Sequence, residues 1–163
     1  MSTRTALYPG SFDPITVGHT NILERGLKMF DHIILAVAVN STKQTVFSVA
    51  ERIALLRALF EGNKRITVDS FTDQLLVDYA ATHQVHVILR GLRTVSDYDS
   101  EFQMAHANRN LNAKIDTIFM MTDPSCSHIS STLIKEIARY GGSCEGLLDP
   151  RVEQALRAKL NPQ

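Results

Sequence analysis

Apolar positions change period repeatedly along this chain. Short runs rich in β-branched residues alternate with longer stretches whose apolar side chains recur at helical spacing. The short runs predict strands over residues 5–8, 32–39, 65–69, 86–89 and 117–121. The second contains Ile33-Ile34-Leu35-Ala36-Val37-Ala38-Val39, with no polar position to face water, the pattern of a strand covered on both sides. The longer stretches predict helices over 17–30, 49–60, 74–83, 97–111, 131–140 and 150–160. Their ends carry matching chemistry. Ser48-Val49-Ala50-Glu51 is a capping box, its hydroxyl and carboxylate satisfying amides that a first turn leaves unpaired. Ser96 is an expected N-cap before Asp97, Gly141-Gly142 suits a helix end, and Pro150 suits a first turn.

Strand and helix in alternation imply an α/β fold with right-handed crossovers. We expect a single Rossmann-like, doubly wound domain over 1–163, its five-stranded parallel sheet carrying helices on both faces. Ligands of such sheets sit at the carboxyl ends of the strands, where the strand order reverses. The segments that follow strands are therefore where chemistry is expected.

Composition narrows the partners. Seventeen Lys plus Arg balance seventeen Asp plus Glu, so no global field draws the chain to nucleic acid or an anionic membrane. A bound anion has to be met locally. The first residues lack the apolar core of a signal peptide, and no run of eighteen apolar residues occurs, so a cytoplasmic protein is expected. Cys126 and Cys144 match neither a disulfide framework nor a zinc site.

The post-strand segments share one character. Pro9-Gly10-Ser11-Phe12-Asp13-Pro14-Ile15-Thr16-Val17-Gly18-His19 offers close backbone approach, hydroxyls and a helix N-terminus, a composition suited to phosphate. It has neither the lysine of a Walker loop nor the three-glycine dinucleotide fingerprint. Lys43 sits among small polar residues after the second strand, and Arg90-Gly91-Leu92-Arg93 closes the fourth. Arginine's planar fork takes phosphate oxygens in pairs. After the fifth strand, Ile129-Ser130-Ser131-Thr132 leads into a helix containing Lys135. Four such clusters in one crevice predict a basic polyphosphate pocket, with His19, Lys43, Arg90 and Arg93 facing only Asp13 in the first loop.

These residues resemble a known family. Tyr8-Pro9-Gly10-Ser11-Phe12-Asp13-Pro14 with Thr16-Val17-Gly18-His19 is similar to the signature of nucleotidyltransferases with a Thr/His-x-Gly-His motif. Ile129-Ser130-Ser131-Thr132 with Lys135 is similar to their second motif, Ile-Ser-Ser-Thr-x-x-Arg. Together with Lys43 and Arg90-Gly91-Leu92-Arg93, the pattern resembles the bacterial phosphopantetheine adenylyltransferases over essentially the whole chain.

The resemblance implies direct in-line transfer of adenylyl from ATP to 4′-phosphopantetheine, giving dephospho-coenzyme A and pyrophosphate. It implies that His19, Lys43 and Arg93 are catalytic, and that Ser11, Lys43, Leu76 and Arg90 hold phosphopantetheine. ATP would meet Ser11, Phe12, His19, Gly91, Leu92, Arg93 and Glu101, with Cys126, Ser127, His128, Ile129, Ser130, Ser131 and Thr132 around its adenosine and terminal phosphates. It further implies Mg2+ carried mainly by the ATP phosphates, a homohexamer and feedback binding of coenzyme A. Lys135 departs from the motif's arginine, keeping the charge and losing the fork. Related readings are nicotinate- or nicotinamide-mononucleotide adenylyltransferase, glycerol-phosphate cytidylyltransferase, and a non-catalytic adenine-nucleotide sensor.

Overall fold

Residues 3–39 and 44–160 are described by a computed structural model. Among them the elements run β1 (Thr5–Gly10), α1 (Val17–Gly26), β2 (His32–Ala38), α2 (Val49–Leu59), β3 (Ile66–Phe71), α3 (Leu76–Thr82), β4 (Val87–Leu92), α4 (Val95–Leu111), β5 (Asp116–Met121), α5 (Ser131–Arg139) and α6 (Pro150–Leu160). The strands form one parallel sheet in the order β3-β2-β1-β4-β5. The order reverses between β1 and β4, which places the ligand crevice at their carboxyl ends.

Strand alternation supplies two cores, because successive side chains leave the sheet on opposite faces. Tyr8, Leu35 and Leu89 face Ile22 of α1, Leu56 of α2, Ile134 of α5 and Leu156 of α6. Leu7, Ile34 and Ile88 face the other way, onto Val77 and Ala80 of α3. The α4 helix packs against α3, β4 and β5. Helices therefore cover both faces, as the apolar strands predicted. At Gly26 a Cβ would lie 2.8 Å from Leu89 Cδ2 and 2.9 Å from Ile33 Cδ1, so glycine there lets α1 settle onto the sheet.

Three boundaries differ in ways that matter for the site. The first strand continues through Pro9 and Gly10, which lie opposite Ala36 and Val37 of β2. The fourth continues to Leu92, so Arg90 and Gly91 are strand residues opposite Phe119 and Met120. The chemistry thus rides on the rigid sheet as well as on loops. The α4 helix begins at Val95 with Thr94 as its cap, replacing the expected Ser96. Thr94 Oγ1 accepts the Asp97 amide at 3.2 Å, a bond that Ser96, two residues further on and next to Asp97, is too late to make. The Ser48–Glu51 capping box forms as expected, with both reciprocal bonds present.

Candidate active site

A cavity of about 340 Å³ opens at the carboxyl ends of β1 and β4. Its walls combine the end of β1, the start of α1, Arg90 and Gly91 on β4, Arg93 just after it, and Ile129 to Thr132 before and within α5. A larger cavity of about 760 Å³ lies behind α1 and shares Thr16 and Ile129 as walls. It contains none of His19, Arg90 and Arg93, so the smaller cavity is the candidate site.

His19 is set by the turn it belongs to. It occupies the third position of α1, after the N-cap Thr16, and its ring folds back on the helix start. The Thr16 amide donates to His19 Nδ1 at 3.1 Å, and Thr16 Oγ1 lies 2.9 Å from the same atom. A backbone N–H can only donate, so Nδ1 is the unprotonated nitrogen and Nε2 carries the proton of the neutral ring. Burial, followed by the charges of Arg93 and Arg90, pulls the His19 pKa down to about 4. The side chain is therefore a neutral hydrogen-bond donor at physiological pH. Phe12 supports it, its ring 5.3 Å from the imidazole in an edge arrangement.

Both arginines are already paired with carboxylates of α4. Arg90 forks onto Glu101, with Nε donating to Oε2 at 2.7 Å and Nη2 to Oε1. Its Nη1 donates to the Pro9 carbonyl at 2.7 Å, linking β4 to β1 where the sheet order reverses. Arg93 forks onto Asp97 at 3.2 Å through each of Nε and Nη2, while Nη1 reaches the Ile129 carbonyl at 3.3 Å. The expected basic pocket is corrected by these pairs. Two cationic forks meet two carboxylates and a neutral imidazole, so the described part of the cavity has orientation rather than excess positive charge. An arginine with this many fixed bonds is preorganised, and its remaining N–H groups can receive phosphate without a search for geometry.

The α5 side supplies hydroxyls. Ser130 caps the helix by accepting the Leu133 amide at 3.1 Å, and Ser131 Oγ donates to the Pro14 carbonyl at 2.8 Å. The second motif thereby closes onto the first. Gly18 lies in the cavity wall, yet a Cβ there would meet its nearest atom at 3.5 Å, an ordinary contact. The protein's own packing does not demand glycine at 18. Room for close approach of a ligand to the start of α1 is the physical reason left.

The cytidylyltransferase-like family matches residues 7–137. The phosphopantetheine adenylyltransferase of Geotalea daltonii is 50% identical over 99% of this chain and 99% of its own length. That of Geobacter metallireducens is 45% identical over 99% of this chain and 98% of its own, and that of Desulfatibacillum aliphaticivorans 48% over 96% and 89%. The chain belongs to the phosphopantetheine adenylyltransferase family. A crystal structure described as a nicotinate-nucleotide adenylyltransferase from Vibrio parahaemolyticus superimposes with a TM-score of 0.68. It covers 95% of this chain and 99% of that one at 17% identity, which establishes the shared α/β fold.

For a phosphopantetheine adenylyltransferase, the expected site residues are unevenly placed. Ser11, His19, Arg90, Gly91, Arg93, Glu101, Ile129, Ser130, Ser131 and Thr132 all line the cavity. Lys43 lies outside the described residues. Phe12 is 2% exposed and packs beneath the site against Tyr8 and His19, so its ring supports the wall instead of forming it. Leu92 is buried in β4. Leu76 packs on the α3-side core and does not reach the cavity, whereas its neighbour Leu75 is 51% exposed at the cap of α3. Cys126 is buried on the wall of the larger cavity, Ser127 bonds the Pro124 carbonyl, and His128 is exposed.

Several contributors escaped the sequence reading. Asp97, which the sequence marks only as the residue after an expected N-cap, fixes Arg93. Thr16 orients the His19 imidazole. Arg52, 3% exposed within α2, donates to the Ser11 carbonyl at 2.7 Å and so holds the cavity's first loop from below. Its signal was spacing: Val49, Arg52 and Leu56 follow helical periodicity on the inward stripe. Among the described residues no group of three or more His, Cys, Asp or Glu is arranged to hold a metal ion. With Asp97 and Glu101 committed to arginines, the donor set does not form a protein cage for Mg2+.

Proposed function

We propose that this protein transfers the adenylyl group of ATP to 4′-phosphopantetheine, releasing pyrophosphate and forming dephospho-coenzyme A. Full-length similarity to phosphopantetheine adenylyltransferases at 45–50% identity is the observation that carries the reading. A phosphate oxygen of the acceptor attacks the α-phosphorus in line, the bond from that phosphorus to the bridging oxygen breaks, and pyrophosphate leaves. The acceptor is already an anion at neutral pH, so no general base is needed. What remains for the protein is alignment and charge stabilisation.

His19 donates its Nε2 proton as a hydrogen bond to the α-phosphate, a role supported by the Thr16 bonds that fix its tautomer. Arg93 and the hydroxyls of Ser130, Ser131 and Thr132 take the ATP phosphates, with Gly91 at the base of the nucleotide. Ser11, Lys43 and Arg90 take the acceptor phosphate, and the exposed Leu75, next to the core-facing Leu76, borders the pantetheine arm. Mg2+, carried on the ATP phosphates, would offset their charge there, with no described residue assigned to hold it. The protein works in the cytoplasm as one domain; no helix among the described residues is long and apolar enough to cross a membrane. It assembles as a homohexamer, a reading supported by exposed Val95, Tyr98 and Phe102 on one side of α4. Coenzyme A, which contains both halves of the product, binds the same cavity as a feedback ligand.

A pyrophosphate-release assay with ATP and 4′-phosphopantetheine, run beside nicotinate mononucleotide and glycerol 3-phosphate, tests the reaction. Turnover is expected with phosphopantetheine. Turnover with a rival acceptor alone would overturn the assignment, and ATP binding without any turnover would make the protein a nucleotide sensor.

A further inference from the structure

One carboxylate beneath the cavity joins three distant parts of the chain. Asp13 is 2% exposed, and its Oδ1 accepts the Phe47 amide at 2.8 Å while Oδ2 accepts the Val46 amide at 3.0 Å. Lys135 Nζ of α5 completes the set, donating to Oδ2 at 3.0 Å. A buried carboxylate is tolerable only when its charge and lone pairs are met, and here an ammonium and two amides meet them. Neither Asp13 nor Lys135 lines the cavity.

The position of Lys135 makes this informative. It stands where the second motif has its cationic residue, one turn into a helix whose start faces the phosphates, and the simple reading makes it a phosphate ligand. Its ammonium is instead turned inward, and the side chain is only 20% exposed. We propose that Lys135 is a positioning residue that acts through Asp13 on the acceptor side of the site. The bolt fixes the turn carrying Ser11 and the chain at Val46, three residues after Lys43. His19, Arg90 and Arg93 are held by other contacts, through Thr16, Glu101 and Asp97. Ser11, on the turn that Asp13 braces, therefore depends on this ion pair, whereas His19, Arg90 and Arg93 do not. The inference rests on the adenylyl-transfer reading.

The test compares wild type with Lys135→Met and Lys135→Arg, measuring KM for 4′-phosphopantetheine and, by calorimetry without acceptor, the Kd for ATP. Lys135→Met is expected to raise the acceptor KM about tenfold and to leave the ATP Kd within about twofold. Lys135→Arg, which still donates to Asp13, is expected to restore the acceptor KM. A loss of ATP affinity matching the loss for acceptor would make Lys135 a direct phosphate ligand and overturn the proposal, as would no change in either constant. Should Lys135→Met not fold, Lys135→Gln keeps an N–H donor without the charge. It is expected to raise the acceptor KM severalfold, and weakened ATP binding would overturn the proposal equally. Wild-type protein inactive with phosphopantetheine would refute the reaction, while the ATP measurements would still decide whether Lys135 touches nucleotide.

Discussion

His19 and Thr16 close a reciprocal cap at the head of α1, the Thr16 amide donating to His19 Nδ1 at 3.1 Å. Two of the four residues in Thr16-Val17-Gly18-His19 therefore start the helix and fix the imidazole with the same bonds. The cap satisfies an amide that the first helical turn leaves open, and it spends the acceptor nitrogen of the ring to do so. What remains at Nε2 is a donor of fixed direction, which is what a developing negative charge on the α-phosphate requires.

Replacing His19 by alanine should consequently damage the transition state more than the ground state. Removal of a preorganised donor typically costs about 3 to 4 kcal/mol, so turnover should fall by about a hundred- to thousandfold. KM for ATP should stay within about threefold. His19→Asn is expected to recover part of the rate, because its amide oxygen can accept the Thr16 N–H while its nitrogen donates into the cavity. Steady-state pyrophosphate release checks both; unchanged turnover in His19→Ala would remove this residue from the chemistry.

The same burial makes the fold acid-sensitive. His19 titrates at about 4 in the folded protein, against about 6.5 for an unperturbed imidazole in the unfolded chain. Above pH 6.5 neither state binds the proton and this residue adds no slope. As pH falls below 6.5 the unfolded chain is protonated first, so stability is lost progressively down to about 4. Urea melts of wild type between pH 7 and 5 should show that decline, and His19→Asn should flatten it. Equal slopes in the two proteins would count against a buried neutral ring.

Glu101 offers a test of the paired arginines. The side chains of Arg90 and Glu101 are 30% and 18% exposed, so the pair is partly shielded from solvent. Glu101→Gln leaves the guanidinium without its anion. Breaking fully buried pairs costs about 3 to 5 kcal/mol, and partial exposure reduces this to about 2. The corresponding fall in Tm for a chain of this length is about 4 to 8 °C. ATP should raise the Tm of the variant more than that of wild type, since its phosphates return the missing negative charge. Thermal melts with and without ATP measure both effects, and an unshifted apo Tm would show that the pair contributes nothing.

Much of this is legible in the sequence. Continuous apolar strands such as Ile33 to Val37 require cover on both faces, which is why the doubly wound sheet could be read from period alone. His19, Arg90 and Arg93 announced themselves by residue type at strand ends. Their state did not. Glu101 lies eleven residues after Arg90, and only the path of α4 brings the two together. A list of cations therefore suggested a basic pocket that the fold neutralises. Arg52 was hidden differently, since a charged residue within a helix normally faces water, and its partners are carbonyls of Ser48, Ser11 and Ala38. Backbone acceptors leave no trace in side-chain spacing. Leu76 shows a third limit: a shift of one position turns a side chain from solvent to core, and α3 directs Leu76 inward while Leu75 stays at the surface.

The outer side of α4 carries the last expectation. Val95 is 84% exposed, Tyr98 42% and Phe102 44%, at i, i+3 and i+7 of one helix. Tyr98 packs against both Phe102 and Phe119, with ring centroids 5.5 and 6.1 Å apart, and Met121, on the same face of edge strand β5 as Phe119, is 59% exposed. A contiguous aromatic and aliphatic patch on an otherwise polar helix is costly in water and is the usual mark of a protein contact. The patch is also connected to the candidate site through the helix itself, since the neighbouring face of α4 presents Asp97 and Glu101 to the two arginines. A second copy of this chain against it would hold α4 in place and with it the forks on Arg90 and Arg93. Phe102→Glu should therefore lower the assembled mass in light scattering and weaken ATP binding severalfold, with little effect on the helical signal in circular dichroism. Wild type running at the mass of a single chain would exclude the assembly, and a dissociated variant with intact ATP affinity would uncouple the patch from the site.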